Sequence, residues 1–142
     1  MAYVSQEDKK KLTPAIKAVL KKYNAKASIA VRHHSTLVVN IKSSDLDIVS
    51  ASNEARLDQI ERELYHNPNY YVQLDDYVNV NEYWIEDTYK KHPEIVSFLT
   101  ELKSAMEGDD FFNEDDAMTD YFHRSHYIDI NIGKWNNPYV VV

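Results

Sequence analysis

The sequence predicts an α+β domain, a mostly antiparallel sheet of three to five strands with two or three helices packed on one face. Two observations carry this. Apolar residues recur at helical spacing in three segments, and short runs of alternating β-branched residues lie between them. The resulting order is helix, hairpin, helix, strand, helix, strand, which lets every apolar face find a partner in two layers. No linker or low-complexity tract interrupts the 142 residues, so the chain reads as one domain over 1–142.

Ser5 with Asp8 three positions on has the pattern of a capped helix start. Thr13-Pro14 resembles a second start, so the segment 5–23 reads as a kinked or interrupted helix ended by Asn24. Leu12, Ile16, Val19, Leu20 and Tyr23 share one face, and Lys9, Lys10, Lys17, Lys21 and Lys22 are left to water. Ser28–Arg32 and Thr36–Lys42, separated by His33, His34 and Ser35, predict an antiparallel hairpin. A helix capped by Ser50 or Ser52 runs to about His66 with Leu57, Ile60 and Leu64 as its stripe, and Asn67-Pro68-Asn69 stops it. Tyr70–Val80 contains a third strand, best patterned over Tyr77–Val80, and residues 81–91 hold a short helix with Trp84 and Ile85. His92-Pro93 opens a helix lined by Ile95, Val96, Phe98, Leu99, Leu102 and Met106 and ended by Gly108. Tyr127–Ile132 is the last full strand, and the terminal Pro138–Val142 adds an edge strand or a partner contact.

Composition excludes several classes. Without cysteine there is no disulfide framework, thiol nucleophile or thiolate metal site. With two glycines no phosphate-cradling glycine loop can be written. No apolar run approaches the roughly 20 residues of a membrane span, and the opening residues do not read as a secretory signal. The expected location is therefore cytoplasmic. The net charge of −7 hides a division: residues 1–42 hold nine Lys and Arg against two acids, and 43–142 hold seven against 21. This fits a solvated basic helix on an acidic domain, homo-oligomers formed through opposite charge halves, or separate faces for anionic and cationic partners. An acidic chain with no nucleic-acid motif is not expected to bind duplex DNA directly.

A recurring triplet supplies the candidate binding face. Val39-Asn40-Ile41, Val78-Asn79-Val80 and Ile130-Asn131-Ile132 each set an Asn between β-branched residues. If the flanks face the core, strand alternation puts Asn40, Asn79 and Asn131 on the opposite face, beside Asp129 and Lys42. His33 and His34 in the hairpin turn and Trp135 extend this surface. His123 and His126, three apart and near Asp120 and Asp129, form the candidate for a metal-dependent hydrolase, although Arg124 between them opposes a cation. Seven of the 14 residues from Glu107 to Asp120 are acidic, but an EF-hand count from Asp109 puts Phe111 at the third position and Glu114 at the sixth, so the calcium pattern fails. A solvated loop pinned by Phe111 and Phe112, or a mimic of nucleic-acid phosphates using Asp109, Asp110, Asp115 and Asp116, remains.

Four segments occur in order: Arg32–Ile41, Val78–Tyr83, Thr119–Phe122 and Tyr127–Tyr139, the last containing Gly133-Lys134-Trp135. Over almost the whole chain they resemble a family of small proteins of tailed bacteriophages and plasmids. The helix and hairpin at 5–42 more distantly resemble domains associated with large polyvalent proteins of mobile elements. The resemblance implies an origin in a bacterial host cytoplasm and a role in binding host or defence components, and it carries over no catalytic residue.

The expected function is accordingly a non-enzymatic interaction module whose partner is a host protein or a protein–nucleic acid assembly, with no cofactor and no membrane. The alternatives are an acidic DNA-mimic inhibitor of anti-restriction or anti-CRISPR type and the small hydrolase at His123 and His126.

Overall fold

The computed structural model describes residues 3–66, 76–109, 111, 126–134 and 137–142. Within them lie helices α1 (Gln6–Lys22), α2 (Ile48–His66), α3 (Ile85–Thr88) and α4 (Pro93–Glu107). The strands are β1 (Lys26–Arg32), β2 (Thr36–Ser44), β3 (Val78–Val80), β4 (Tyr127–Ile132) and β5 (Val140–Val141). The domain is α+β, and its sheet is mostly antiparallel.

The strand order is β1-β2-β4-β3, with β5 added beside the end of β2. The β1–β2 and β3–β4 pairs are antiparallel, whereas β2 runs parallel to both β4 and β5. A parallel pair needs a long crossover. Here the chain between β2 and β4 contains α2, β3, α3 and α4. Leu37, Val39, Ile41, Val78, Val80, Ile130 and Ile132 point to one face and form the core with Ile16 and Leu20 of α1 and Phe98, Leu99, Leu102 and Met106 of α4. α1 packs on β1 and α4, and α4 also reaches β4, so the two helices lie side by side over the sheet. The Tyr23 ring meets that of Phe98 at 4.9 Å between centroids.

The Ser5 start forms as a full capping box: Asp8 N–H donates to Ser5 Oγ and Ser5 N–H donates to Asp8 Oδ2, both at 3.0 Å. Thr13 does not cap a second helix. Its hydroxyl turns back to the Lys9 carbonyl at 2.7 Å, and α1 continues through Pro14. The proline removes one N–H, while the packed stripe of Ile16 and Leu20 holds the later turns in place. α2 begins before either serine, because Asp47 supplies the capping acceptor, taking the Ser50 N–H at 3.3 Å. Leu57 is 48% exposed, so the expected α2 stripe is not a buried one at that position. The side chains of Ile60 and Leu64, the stop at 67–69 and most of the acidic loop lie outside the described residues.

Asn24 takes the left-handed conformation expected of it, φ 53°. Gly108 ends α4 at φ 77°. Gly133 (φ 74°) ends β4, and a Cβ built there would lie 2.6 Å from the Tyr139 nitrogen. The missing side chain lets Tyr139 pass close to Gly133, and the chain then continues along β2 as β5. Tyr139 N–H reaches the Asp76 carbonyl at 3.3 Å and Val142 N–H the Ser44 carbonyl at 3.0 Å, while Tyr139 Oη donates to the Leu46 carbonyl at 2.7 Å.

Candidate functional site

The three triplets come into register. Asn40 pairs with Asn131, and Asn131 pairs with Asn79. Because apolar-Asn-apolar reads the same in either direction, parallel β2–β4 and antiparallel β3–β4 pairing both set Asn against Asn. The flanks align with them: Val39 and Val80 oppose Ile130, and Ile41 and Val78 oppose Ile132. Ser28 of β1 pairs with Asn40 and completes a polar row across four strands, on the face away from α1 and α4.

The amides form a directed chain. Asn79 Nδ2 donates to Asn131 Oδ1 at 2.9 Å and to Asp129 Oδ1 at 2.5 Å, and Asn131 Nδ2 donates to Asn40 Oδ1 at 3.0 Å. Both Asn79 amide hydrogens are thereby engaged. Among the described residues nothing engages the Asn40 amide donors at one end or the Asn79 Oδ1 acceptor at the other. Asp129 also accepts from Arg32 Nη1 at 2.9 Å, an ion pair that reaches from β1 to β4 across β2. Under it Val38, paired with Ala30 and Asp129, is only 6% exposed. The face is thus a hydrogen-bonded polar lattice on the pleated sheet, with Arg32, Lys42, Asn79 and Tyr127 exposed at its margins.

Arg32 and Ser28 belong to this lattice although sequence reasoning did not place them there. The three-residue connection 33–35 contained the signal, since it sets Arg32 against Thr36 and, four positions along, Ser28 against Asn40.

His33 and His34 sit at the tip of the hairpin with exposed side chains and φ of 55° and 56°. Ser35 N–H closes the turn on the Arg32 carbonyl at 3.3 Å. Two successive positive φ values are what a tight hairpin turn requires, and Asn-Gly supplies them with less strain than two histidines. The tip is braced from outside by Val4 N–H on the His34 carbonyl at 2.7 Å and Tyr127 N–H on the Ser35 carbonyl at 2.9 Å.

His126 is buried elsewhere, before β4. Its Nε2–H donates to the Met106 carbonyl at 2.9 Å near the end of α4, and its ring meets Phe111 edge-on at 5.4 Å. It borders a cavity of about 200 Å³ shared with Tyr3, Asp8, Lys11 and Glu107. The Ser5 N–H and hydroxyl hold the Asp8 carboxyl below its ordinary value. Asp129 does not join this histidine, being engaged by Arg32 and Asn79. No group of three or more metal-ligating side chains gathers among the described residues. Trp135, His123, Asp120, Asp110, Asp115 and Asp116 lie outside them. No helix is long and apolar enough to cross a membrane among the described residues.

No family model, curated protein or solved structure matches the chain.

Proposed function

We propose that the protein is an interaction module of a bacteriophage or mobile element that engages a host protein or protein–nucleic acid assembly through the polar face of its sheet. The in-register row Ser28–Asn40–Asn131–Asn79 carries this reading. An amide chain whose donors at one end and acceptor at the other are unengaged among the described residues suits a partner that offers both kinds of group, as peptide backbones and base edges do. Its members are locked to one another, so little side-chain entropy remains to be lost on binding. The His33-His34 tip lies at the same end of β1 and β2 as Arg32, and extends the surface with two exposed imidazoles. The resemblance to phage and plasmid proteins supports the origin and the bacterial cytoplasm as the place of action.

The test compares wild type with the Asn40→Ala/Asn79→Ala/Asn131→Ala variant as bait in bacterial lysate, with thermal unfolding as the control for an intact fold. A species held by wild type and reduced at least tenfold on the folded variant supports the reading. Equal capture by both, or capture of chaperones alone, overturns it.

A further inference from the structure

We propose a second docking surface, separate from the polar face: the outer edge of β1, which takes up an acidic, extended peptide as an added strand. β1 ends the strand order, and among the described residues nothing pairs with its outer side. In an antiparallel pair alternate residues turn both N–H and C=O away from the neighbour, so this seven-residue strand presents a row of backbone groups to solvent. Its core-side residues Ala27, Ile29 and Val31 are half-exposed, while their β2 counterparts Leu37, Val39 and Ile41 are buried. An added strand would cover that remainder.

Charge selects the occupant. α1 lies over the β1 end of the sheet, with α4 on its inner side. Lys22 and Tyr23 mark the flank toward α4, since both bond Glu101, Lys22 Nζ at 2.7 Å. At 100° per residue Lys10, Lys17 and Lys21 fall on the opposite flank, which faces outward past the edge of β1. All three are exposed. Lys26 stands at one end of the strand, and no acid occurs between positions 9 and 44. A backbone edge beneath a row of ammonium groups fits a β-strand that carries carboxylates. A second copy is disfavoured, because antiparallel pairing centred on Ile29 would set Lys26 against Arg32.

The probe is a capped eight-residue peptide alternating Glu with Val, titrated into isotope-labelled full-length protein. Amide shifts concentrated in 26–32, affinity that falls with salt, and at least tenfold weaker binding to the folded Lys17→Glu/Lys21→Glu variant are expected. Equal binding of a Lys–Val peptide, or of the Glu–Val peptide N-methylated at every residue, overturns the proposal. So do shifts centred outside β1, absence of binding at millimolar peptide, displacement by a single-stranded oligonucleotide, or a concentration-dependent dimer by light scattering.

Discussion

Replacing His33-His34 with Asn-Gly separates what the hairpin tip does for folding from the binding role proposed for it. Both histidines hold positive φ, 55° and 56°. A left-handed conformation costs an ordinary L-residue about 1–2 kcal/mol, and asparagine and glycine adopt it more readily. Glycine gives back roughly 0.4–1 kcal/mol by enlarging the freedom of the unfolded chain. The net expectation for His33→Asn/His34→Gly is a stabilisation of about 1 kcal/mol. Unfolding entropy near 2.1 cal/mol/K per residue amounts to about 0.3 kcal/mol/K over this chain, so the midpoint should rise by about 3 °C. In urea, with a slope of about 2 kcal/mol/M, the midpoint should move up by about 0.5 M. The same variant should bind the partner of the polar face more weakly, because two imidazoles leave that surface. An unchanged or lowered midpoint would refute the claim that the turn is strained. Higher stability with unchanged capture would remove the histidines from the binding surface.

Gly133→Ala should destabilise the fold by about 2–4 kcal/mol, because the new Cβ lies 2.6 Å from a backbone nitrogen that cannot swing aside. Hydrogen exchange at the Val142 amide, bonded to the Ser44 carbonyl, should accelerate with it. Asn131→Ala should cost about 1 kcal/mol, and a double-mutant cycle with Asn40→Ala should return a coupling of roughly 0.5–1 kcal/mol, with zero coupling contradicting the 3.0 Å bond. The Asp8 carboxyl is held below its ordinary value of 3.8, so the stability it contributes is present above that pH and lost as pH falls through the lower folded value. Asp8→Asn should flatten this acid limb in urea midpoints taken from pH 6 to 2.

Local chemistry made most of the fold legible. Ser5 acts through its hydroxyl on the next turn, and Asn24, Pro93 and Gly108 act through their own backbone; each stands where its chemistry indicated. Misreadings arose where two local signals competed. Thr13-Pro14 has the form of a helix start, but the apolar stripe runs unbroken from Leu12 to Tyr23, and packing of that stripe outweighs one lost hydrogen bond. At α2 two serines within the helix compete as cap candidates with Asp47, which lies one residue ahead of it and whose carboxylate is the stronger acceptor.

The candidate site shows a different boundary. Alternation alone places each asparagine on the outer face of its own strand, since a one-residue slip would bury the amide and expose its two aliphatic neighbours. It does not say that β4 inserts between β2 and β3, which follows from a crossover of more than eighty residues rather than from any triplet. Once those strands are neighbours, however, the palindromic triplet makes alignment almost unavoidable, because matching the aliphatic flanks in either direction also matches the amides. A row that needed only a wet surface would tolerate Ser, Thr or Lys at these three positions. Asparagine carries a carbonyl acceptor and a separate amide with two donors, so each copy can accept from one neighbour while donating to the next, and the directed chain from β3 to β2 uses both ends of the group. The ends of that chain are unengaged among the described residues, so under the proposed function Asn40→Ala and Asn79→Ala should weaken binding more than Asn131→Ala, and Asn131→Ala should cost the most stability.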